Sequence, residues 1–554
     1  MGSPETGKEI KLKGLDLESR QMILDMVNRL RNRLLSKEKI LDFDKKEFFP
    51  EETIRELLSP EIGLQLLGIP EVYGGMGGGA RDICYLTLEM SKICLGVTTA
   101  FFALQLGADP LIVGGTEEQK KKWLGAIAKD SSLVAYAVTE ADAGSNLAAL
   151  KTKADPVIDN GKITGYVING TKQFISTGGY ADFITLLANT PEGPAFFVVE
   201  KGTKGFIQGK GEEKHGIRAS NTSPLIFEDV FVPVENLIGG IPGHGLKQAN
   251  KVFGYTRVMV AAMALGASQA CLNILIPYAK QRIQFGTPLS EKQGYTHKLV
   301  VPNVVRTEAA AAYVDEVVVR LDSGEEDLQV EGSIAKLFAT ESADKAADDA
   351  IQGLGGYGYI AEYEVEKIKR DVRITRIYEG TSEIQQNIIG TFRWKKTWKT
   401  KGEFYLSIYK EMDKLSISIP DAGYRYYGLA AKALNDTINF VHENKLTRQQ
   451  HIMFLLADMM AYVEVGASLA RKSAFIIQSG GNQAGKFKII SRIFANETAR
   501  LVLNNLDKIL RGSGSFSRNQ ISDFMASISY DELMLSYENI LTDMDKLADI
   551  VFER

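Results

Sequence analysis

Cysteine is nearly absent: Cys84, Cys94 and Cys271 are the only three in 554 residues. So few and so scattered, they support neither a disulfide framework nor a zinc site. Each is expected to pack as a small apolar side chain in a reducing compartment. The five histidines (His215, His244, His297, His442 and His451) are dispersed, with no pair at ligand spacing, so no metal centre is expected. There is no large excess of charge of either sign. A net charge of -4 gives no electrostatic case for a nucleic-acid binder. No uninterrupted run reaches the roughly 18 apolar residues of a membrane span. The N-terminal MGSPETGKEIKLKGLDLESRQ lacks the apolar core of a signal peptide, and its acids argue against a transit peptide. The expectation is a soluble, cytoplasmic protein, with the mitochondrial matrix as the alternative if a leader has been removed.

What is present is ordinary globular composition, 45% hydrophobic and 24% charged, over a length that calls for three or four domains. From about Leu15 to Asp130, apolar residues recur at helical spacing, interrupted by the glycine-rich GIPEVYGGMGGG. From about Val134 to Leu237, short alternating runs such as KITGYVINGTKQFIS and PLIFEDVFVP are separated by Asn-Gly, Gly-Gly and Pro-Glu-Gly turns, the pattern of antiparallel strands. Helical patterns return from about His244 to Lys401 and continue to Arg554. The fold class expected is α+β. Its parts are an N-terminal helical domain (1–133), a middle antiparallel β domain (134–243), a four-helix bundle domain (244–401) and an extra helical domain (402–554).

Several motifs have bland readings that win. Gly353, Gly355 and Gly358 spell GxGxxG, but the preceding ESADKAADDAIQ reads as helix, and a dinucleotide fingerprint needs a strand there. Gly480 to Lys486 spells GxxxxGK, but Phe487 follows where a P-loop needs a hydroxyl, so a plain helix-to-helix turn is expected. The basic run Arg393, Lys395, Lys396, Lys399 and Lys401, with Trp394 and Trp398 inside it, reads as a solvated helix end whose tryptophans pack inward. KFKIISRIFANETARLVLNNL is amphipathic. Core-facing packing is its first reading and weak peripheral membrane contact its second.

The informative segment is IQGLGGYGYIAEYEVEKIKRDVRITRIYEGTSEIQQNIIG, Ile351 to Gly390. Its glycines let backbone approach another group closely. The Tyr378-Glu379-Gly380-Thr381 turn sets a carboxylate at the junction of a loop and a helix. Desolvation in a water-poor cleft raises a carboxyl pKa and makes a competent proton acceptor. Taken alone, Glu379 is one of 69 acidic residues.

With its QxxGGxGY, RDxRI and IYEGTxEIQ elements, this segment resembles the second signature of the acyl-CoA dehydrogenase family. YAVTEADAGSNLAAL (Tyr136 to Leu150) resembles the first, and KQRIQFGTPLSEKQ (Lys280 to Gln293) resembles the family's RxxFG segment. GIPEVYGG and IFEDVFVP fall in the same order as in the family, and the resemblance covers about residues 30 to 400. It implies an FAD-dependent α,β-dehydrogenation of an acyl-CoA thioester to the trans-2-enoyl-CoA. Glu379 takes the α-proton, a hydride leaves the β-carbon for flavin N5, and electrons pass to electron-transfer flavoprotein. The developing enolate oxygen is met by the Glu379 N–H and a ribityl hydroxyl. The residues implied for FAD are Tyr136, Val138, Thr139, Ser145, Phe174, Ser176, Arg282, Phe285, Gln293, Gln352, Gly355, Gly356, Thr381 and Glu383. Those implied for substrate are Ser145, Thr256, Arg257, Tyr378, Gly380, Phe101 and Phe102. Arg257 matches a CoA-contacting arginine, and Thr256 stands where a minority of relatives carry the catalytic Glu. Asn146 and Asn221 replace the usual Asp. Some cofactor contacts come from a neighbouring subunit in the family, so a homodimer or homotetramer is implied.

Most members end near residue 400. The further ~150 helical residues resemble the extension of very-long-chain acyl-CoA dehydrogenases, acyl-CoA oxidases and alkylation-response flavoproteins. The rival readings are therefore a DNA-associated alkylation-response flavoprotein and an oxidase. The acids of SYDELMLSYENILTDMDKLADIVFER weigh against the DNA reading. By resemblance Phe101 and Phe102 lie at the far end of the acyl pocket, where large rings favour a short, branched or cyclic acyl group.

Overall fold

A computed structural model describes residues 13–554. Most of the N-terminal stretch considered for targeting signals lies outside the described residues. The chain divides into two compact units, Met1–Ala267 with Val318–Gln329 and Arg370–Thr375, and Ser268–Val317 with Val330–Lys369 and Arg376–Arg554.

In the first unit the helices start where the sequence supplies caps. Asp16 accepts from the Ser19 N–H at the head of Leu17–Arg33. Thr116 and Gln119 form a reciprocal capping box ahead of Glu117–Asp130. Strands follow: β1 (Val134–Ala137), β2 (Lys153–Asp159), β3 (Lys162–Ser176), β4 (Phe183–Thr190), β5 (Gly193–Glu200), β6 (Phe206–Gln208) and β7 (Thr222–Pro233). Asn160 and Gly161, both at positive φ (48° and 76°), make the tight turn that joins β2 to β3. The sheet order is β1-β4-β2-β3-β7-β6, with β5 on β4. It is mixed rather than wholly antiparallel, because β4 runs parallel to β1 and, at one residue pair, to β2. The reason is connectivity: the chain between β1 and β4 leaves to form the β2–β3 hairpin before returning alongside. The inward faces of these strands, from Ala135 and Ile168 to Phe197 and Val232, make one apolar core. The RDxRI residues serve as a clasp here. Arg370 pairs with Asp44 at 2.6 Å, and Asp371 accepts from the Ile217 N–H.

The second unit is helical. The helix Gln450–Gln478 packs along Ala484–Gly512 and Ser382–Lys399. Phe338 sits edge-on to Tyr462 and Phe494 (centroids 5.2 and 5.6 Å), tying the bundle helix Gln329–Leu354 to the extension. The apolar face of the amphipathic stretch, including Ile490, Phe494 and Val502, is buried. The basic run departs from expectation. Arg393 is buried, bonded to both carboxylate oxygens of Glu464 at 2.7 Å and to Glu331 at 2.9 Å, while Trp398 faces outward. An arginine flanked by lysines is indistinguishable from them by spacing, and its partners lie 62 and 71 residues away. The helix Gln329–Leu354 runs through Gly353 into the GxGxxG glycines, and the helix-to-helix turn begun at Gly480 ends where the next helix starts at Ala484. All three cysteines are buried and unbridged.

Membrane-scale apolarity also differs from the sequence reading. Leu95–Gly114, Gly245–Gln281 and Gln450–Gln478 are each long and apolar enough to cross a bilayer by length and composition, although scattered polar residues break every uninterrupted run. About four-fifths of each apolar window is buried within the protein.

Candidate active site

In the first unit, the end of β1 and the end of β3 are drawn together. The Thr139 carbonyl accepts from the Gln173 N–H at 2.9 Å, and the Val138 carbonyl accepts from Lys172 Nζ at 3.0 Å. Tyr136, Val138, Thr139, Phe174 and Ser176 therefore share one neighbourhood. Lys172 is fully buried and ion-paired with Glu140 at 2.8 Å. Burial pushes the lysine down to about 8. Burial also opposes ionisation of Glu140, but Lys172, Thr152 and the Lys151 N–H outweigh it and hold the carboxyl below its usual range. Thr152 completes the clamp, donating its hydroxyl and N–H to Glu140. The register of β3 on β7 slips between Lys172 and Ile175, and Phe174 takes φ +60°. Its ring is 61% exposed. A bulky non-glycine residue on left-handed backbone costs about 1–3 kcal/mol, a cost the surrounding β3–β7 pairing must hold in place. Ser145 lies in the exposed loop after β1.

The Tyr136 ring stacks on Phe196 (5.7 Å) and meets the edge of Phe253 (6.5 Å), over which the Arg257 guanidinium lies at 5.9 Å. This chain of contacts joins the first-signature tyrosine to buried Thr256 and Arg257 on the long helix Gly245–Gln281. Phe101 and Phe102 are buried in Leu95–Gly114. Asn221 turns its amide oxygen to the Gly179 N–H at 3.0 Å, and Asn146 caps a short 3-10 turn, so each replacement for Asp keeps an acceptor.

In the second unit, Glu379 and Gly380 both take left-handed backbone, φ +55° and +90°. The turn is fixed from behind. Gln385 donates to the Glu379 carbonyl at 3.0 Å and to the Gly380 carbonyl at 2.8 Å, and buried Lys336 donates to the Gly380 carbonyl at 2.6 Å. Thr381 then caps the helix Ser382–Lys399 by accepting from the Ile384 N–H. Ser382 donates to Glu341, which also accepts from Arg376. Glu383 sits in the first helical turn, where the backbone N–H at its own position and the Thr381 hydroxyl hold its carboxyl below the usual range. Tyr378, Glu379, Gly380 and Thr381 are all half-buried.

A second cluster of the same unit gathers Arg282, Phe285, Gln293, Gln352, Gly355 and Gly356. The hairpin of β8 (Ile283–Gln284) and β9 (Thr287–Pro288) carries Phe285 at its tip, at φ +50° and 97% exposed. Arg282 lies 5.8 Å over the Tyr357 ring. Tyr295 and Tyr278 donate to the Gly353 and Leu354 carbonyls, pinning the glycine-rich turn beside this hairpin. Gly355 adopts φ +61°, ψ -136°, a conformation open only to glycine. Gly356 does not need it, and a Cβ there would meet nothing within 4 Å. Protein packing thus makes no demand for glycine at 356, and the backbone there is open to close approach by another group. Within the second unit, the outward Phe285, the Arg282 guanidinium and this bare glycine surface suit the nucleotide end of a dinucleotide; within the first unit, the outward Phe174 suits a flat aromatic group. Lys172, Glu140, Lys336 and Gln385 were not singled out from sequence. The available signal for Lys336 was a lone lysine in the apolar helical run SIAKLFA.

Three family models match in sequence order: the acyl-CoA dehydrogenase N-terminal domain over residues 18–131, the middle domain over 135–230 and the C-terminal domain over 243–392. The chain belongs to the acyl-CoA dehydrogenase family. It is a flavoprotein oxidoreductase acting on acyl-CoA, with FAD as its cofactor. It is 38% identical over 376 residues to an acyl-CoA dehydrogenase of Bacillus subtilis, a match spanning 65% of this chain and 97% of the relative. It is 36% identical over 384 residues to cyclohex-1-ene-1-carbonyl-CoA dehydrogenase of Geobacter metallireducens, spanning 67% and 97%. Among solved structures, acyl-CoA dehydrogenase complexed with FAD from Bacillus anthracis superposes with TM-score 0.82 at 26% identity, covering 97% of this chain and 95% of its own. The helical extension beyond the family models is thus part of a shared architecture.

Proposed function

We propose that the enzyme removes one hydrogen from each of the α- and β-carbons of an acyl-CoA thioester, leaving the trans-2-enoyl-CoA, with Glu379 as the proton acceptor. FAD, when bound, supplies the acceptor for the β-hydride and its two electrons. The α-C–H pair becomes the new C=C bond as the proton moves to the Glu379 carboxylate. The observation that carries this reading is the turn itself. Two successive left-handed residues are stabilised by Lys336 and Gln385 from behind, so backbone strain is spent on presenting one half-buried carboxylate. A base held in one position acts with less reorganisation than one on a mobile loop.

Phe174, Ser176, Tyr136, Val138, Thr139 and Ser145 are assigned to the ring end of FAD, with Thr381 and Glu383. Arg282, Phe285, Gln293, Gln352, Gly355 and Gly356 are assigned to its dinucleotide end. Arg257, a buried cation on the long helix, is assigned to the CoA moiety, with Thr256, Tyr378 and Gly380 lining the substrate. Phe101 and Phe102 limit acyl length and favour a short, branched or cyclic group. The cyclic-substrate relative from Geobacter supports that reading. Electron-transfer flavoprotein is the proposed acceptor, and a homodimer or homotetramer the proposed assembly.

The test is reductive bleaching of bound flavin with a panel of acyl-CoA thioesters, run on the parent and on Glu379→Gln. The variant is expected to keep its FAD and lose about 10²–10⁴-fold in bleaching rate. Unchanged bleaching would remove Glu379 from the chemistry. Efficient turnover of palmitoyl-CoA with none on short or cyclic thioesters would overturn the substrate class.

A further inference from the structure

The last helix of the chain, Ile540–Phe552, lies against the segment to which the dinucleotide end of FAD was assigned. It is anchored by buried Leu547, Ala548 and Phe552, and it touches the segment at several points. Glu553 pairs with Lys280 at 2.7 Å. Arg554 donates to the Ser290 carbonyl at 2.8 Å. Asp545 accepts from the Gln293 amide nitrogen with both carboxylate oxygens, at 3.0 and 3.1 Å, and lies 2.9 Å from His297 Nε2. These anchor points bracket the loop that carries Arg282 and Phe285 and end on Gln293 itself. None of the bracketing residues of the helix belongs to the matched family domains, which stop at residue 392.

We infer that the C-terminal helix is a brace for cofactor binding and that Asp545 is a positioning residue acting through Gln293. The physical reason is twofold. A hairpin tip whose Phe285 is 97% exposed gains little from its own packing, and a brace at its base in the free protein lowers the entropic cost of fixing it against a ligand. An amide whose nitrogen is already committed to a carboxylate presents its oxygen outward. Gln293 therefore offers an acceptor, suited to a ribose hydroxyl or an adenine amine, while the cationic role toward phosphate stays with Arg282. The inference rests on the FAD assignment above and adds to it a function for the end of the chain.

The experiment measures FAD dissociation constants, by fluorescence of released flavin, for the full-length parent, Asp545→Ala, Gln293→Ala, the double variant and Glu553→Ala/Arg554→Ala. Each single change is expected to weaken FAD by about two- to fivefold, the scale of one exposed charge-assisted contact. The double variant is expected to bind no more weakly than its weaker parent, because both changes break one contact. Glu553→Ala/Arg554→Ala releases the other anchor points and is expected to weaken FAD by at least as much as Asp545→Ala. Asp545→Asn keeps an oxygen for the Gln293 amide and is expected to stay within about twofold of the parent. If the Asp545→Ala variant does not fold, Gln293→Ala and Glu553→Ala/Arg554→Ala carry the test. Affinities like the parent's in every variant, multiplicative losses in the double variant, or a loss in Asp545→Asn as large as in Asp545→Ala would each overturn the inference. A parent that binds no FAD would instead overturn the underlying assignment.

Discussion

Two buried lysines brace the two signature segments, and they do so differently. Lys172, under the first signature, reaches the Val138 carbonyl while paired with the equally buried Glu140. Lys336, under the second, is turned to the Gly380 carbonyl of a turn already held by Gln385. On the sheet side the charge is balanced inside a closed clamp with Thr152. On the turn side the donor's contacts include the peptide carbonyl adjacent to the residue proposed to react. The sheet segment is thus built for permanence and the turn for aim. Loss of the first lysine should be felt as stability, and loss of the second as rate.

The largest expected effect is Lys172→Met. It leaves Glu140 buried without its counter-charge, at about 3–5 kcal/mol. Chemical denaturation should show it, and the double change Lys172→Met/Glu140→Gln should recover much of the loss. If the single and double variants are equally unstable, the clamp is not what holds the segment. Lys336→Met comes next. Bleaching by an acyl-CoA should slow at least about tenfold, with melting temperature and FAD content changed far less. An equal fall in stability and rate would erase the contrast between the two lysines.

The third prediction concerns pH. Asp458, on the extension helix Gln450–Gln478, faces a cavity of about 480 Å³ lined also by Arg306, Glu341, Arg376, Glu383 and Tyr462. Burial pushes its carboxyl up to about 6. Gln386 opposes that rise, Glu341 adds to it, and Lys508 and His451 oppose it weakly. A carboxyl whose folded value lies above 3.8 binds its proton more tightly in the folded state. Its contribution to stability is full below pH 3.8 and is lost as pH rises through about 6. Asp458→Asn keeps an acceptor for Gln386 without the buried charge. It should raise stability at pH 7.5 by on the order of 1–3 kcal/mol and flatten the profile between pH 4 and 6.5. A variant whose profile still tracks the parent's would assign the pH dependence elsewhere. The smallest effect is expected at Gly356→Ala, where added bulk meets no protein atom. Stability should stay within about 0.5 kcal/mol while FAD affinity falls.

The helix–sheet–helix order was legible in the sequence because hydrophobic period changes from 3.6 to 2 and back, and because Asn160-Gly161 can hardly be anything but a hairpin turn. The position of Glu379 at a loop–helix junction was legible too, since Gly380 permits the turn and Thr381 caps the helix beyond it. What escaped depends on long-range pairing. Nothing in the spacing of RWKKTWK tells that Arg393 is the one cation drawn inward to Glu331 and Glu464. Nor does a strand pattern say that β4 returns parallel to β1, or that Asp545 will find Gln293 across 252 residues. The left-handed backbone at Phe174 and Phe285 was equally hidden, because bulky side chains normally argue against it.

The burial of three bilayer-grade helices has a consequence for biogenesis. Leu95–Gly114 leaves the ribosome before the strands it will contact, with Gly107 closing on Val134 and accepting, through its carbonyl, from the Thr185 hydroxyl. Until Thr185 and the rest of β4 have been made, that apolar stretch is covered only by neighbouring segments such as the preceding helix Ala80–Ile93, and much of its sheet-facing side is bare. Nascent chains of this enzyme should therefore engage holding chaperones early, and fragments ending between residues 115 and 180 should clump when expressed alone.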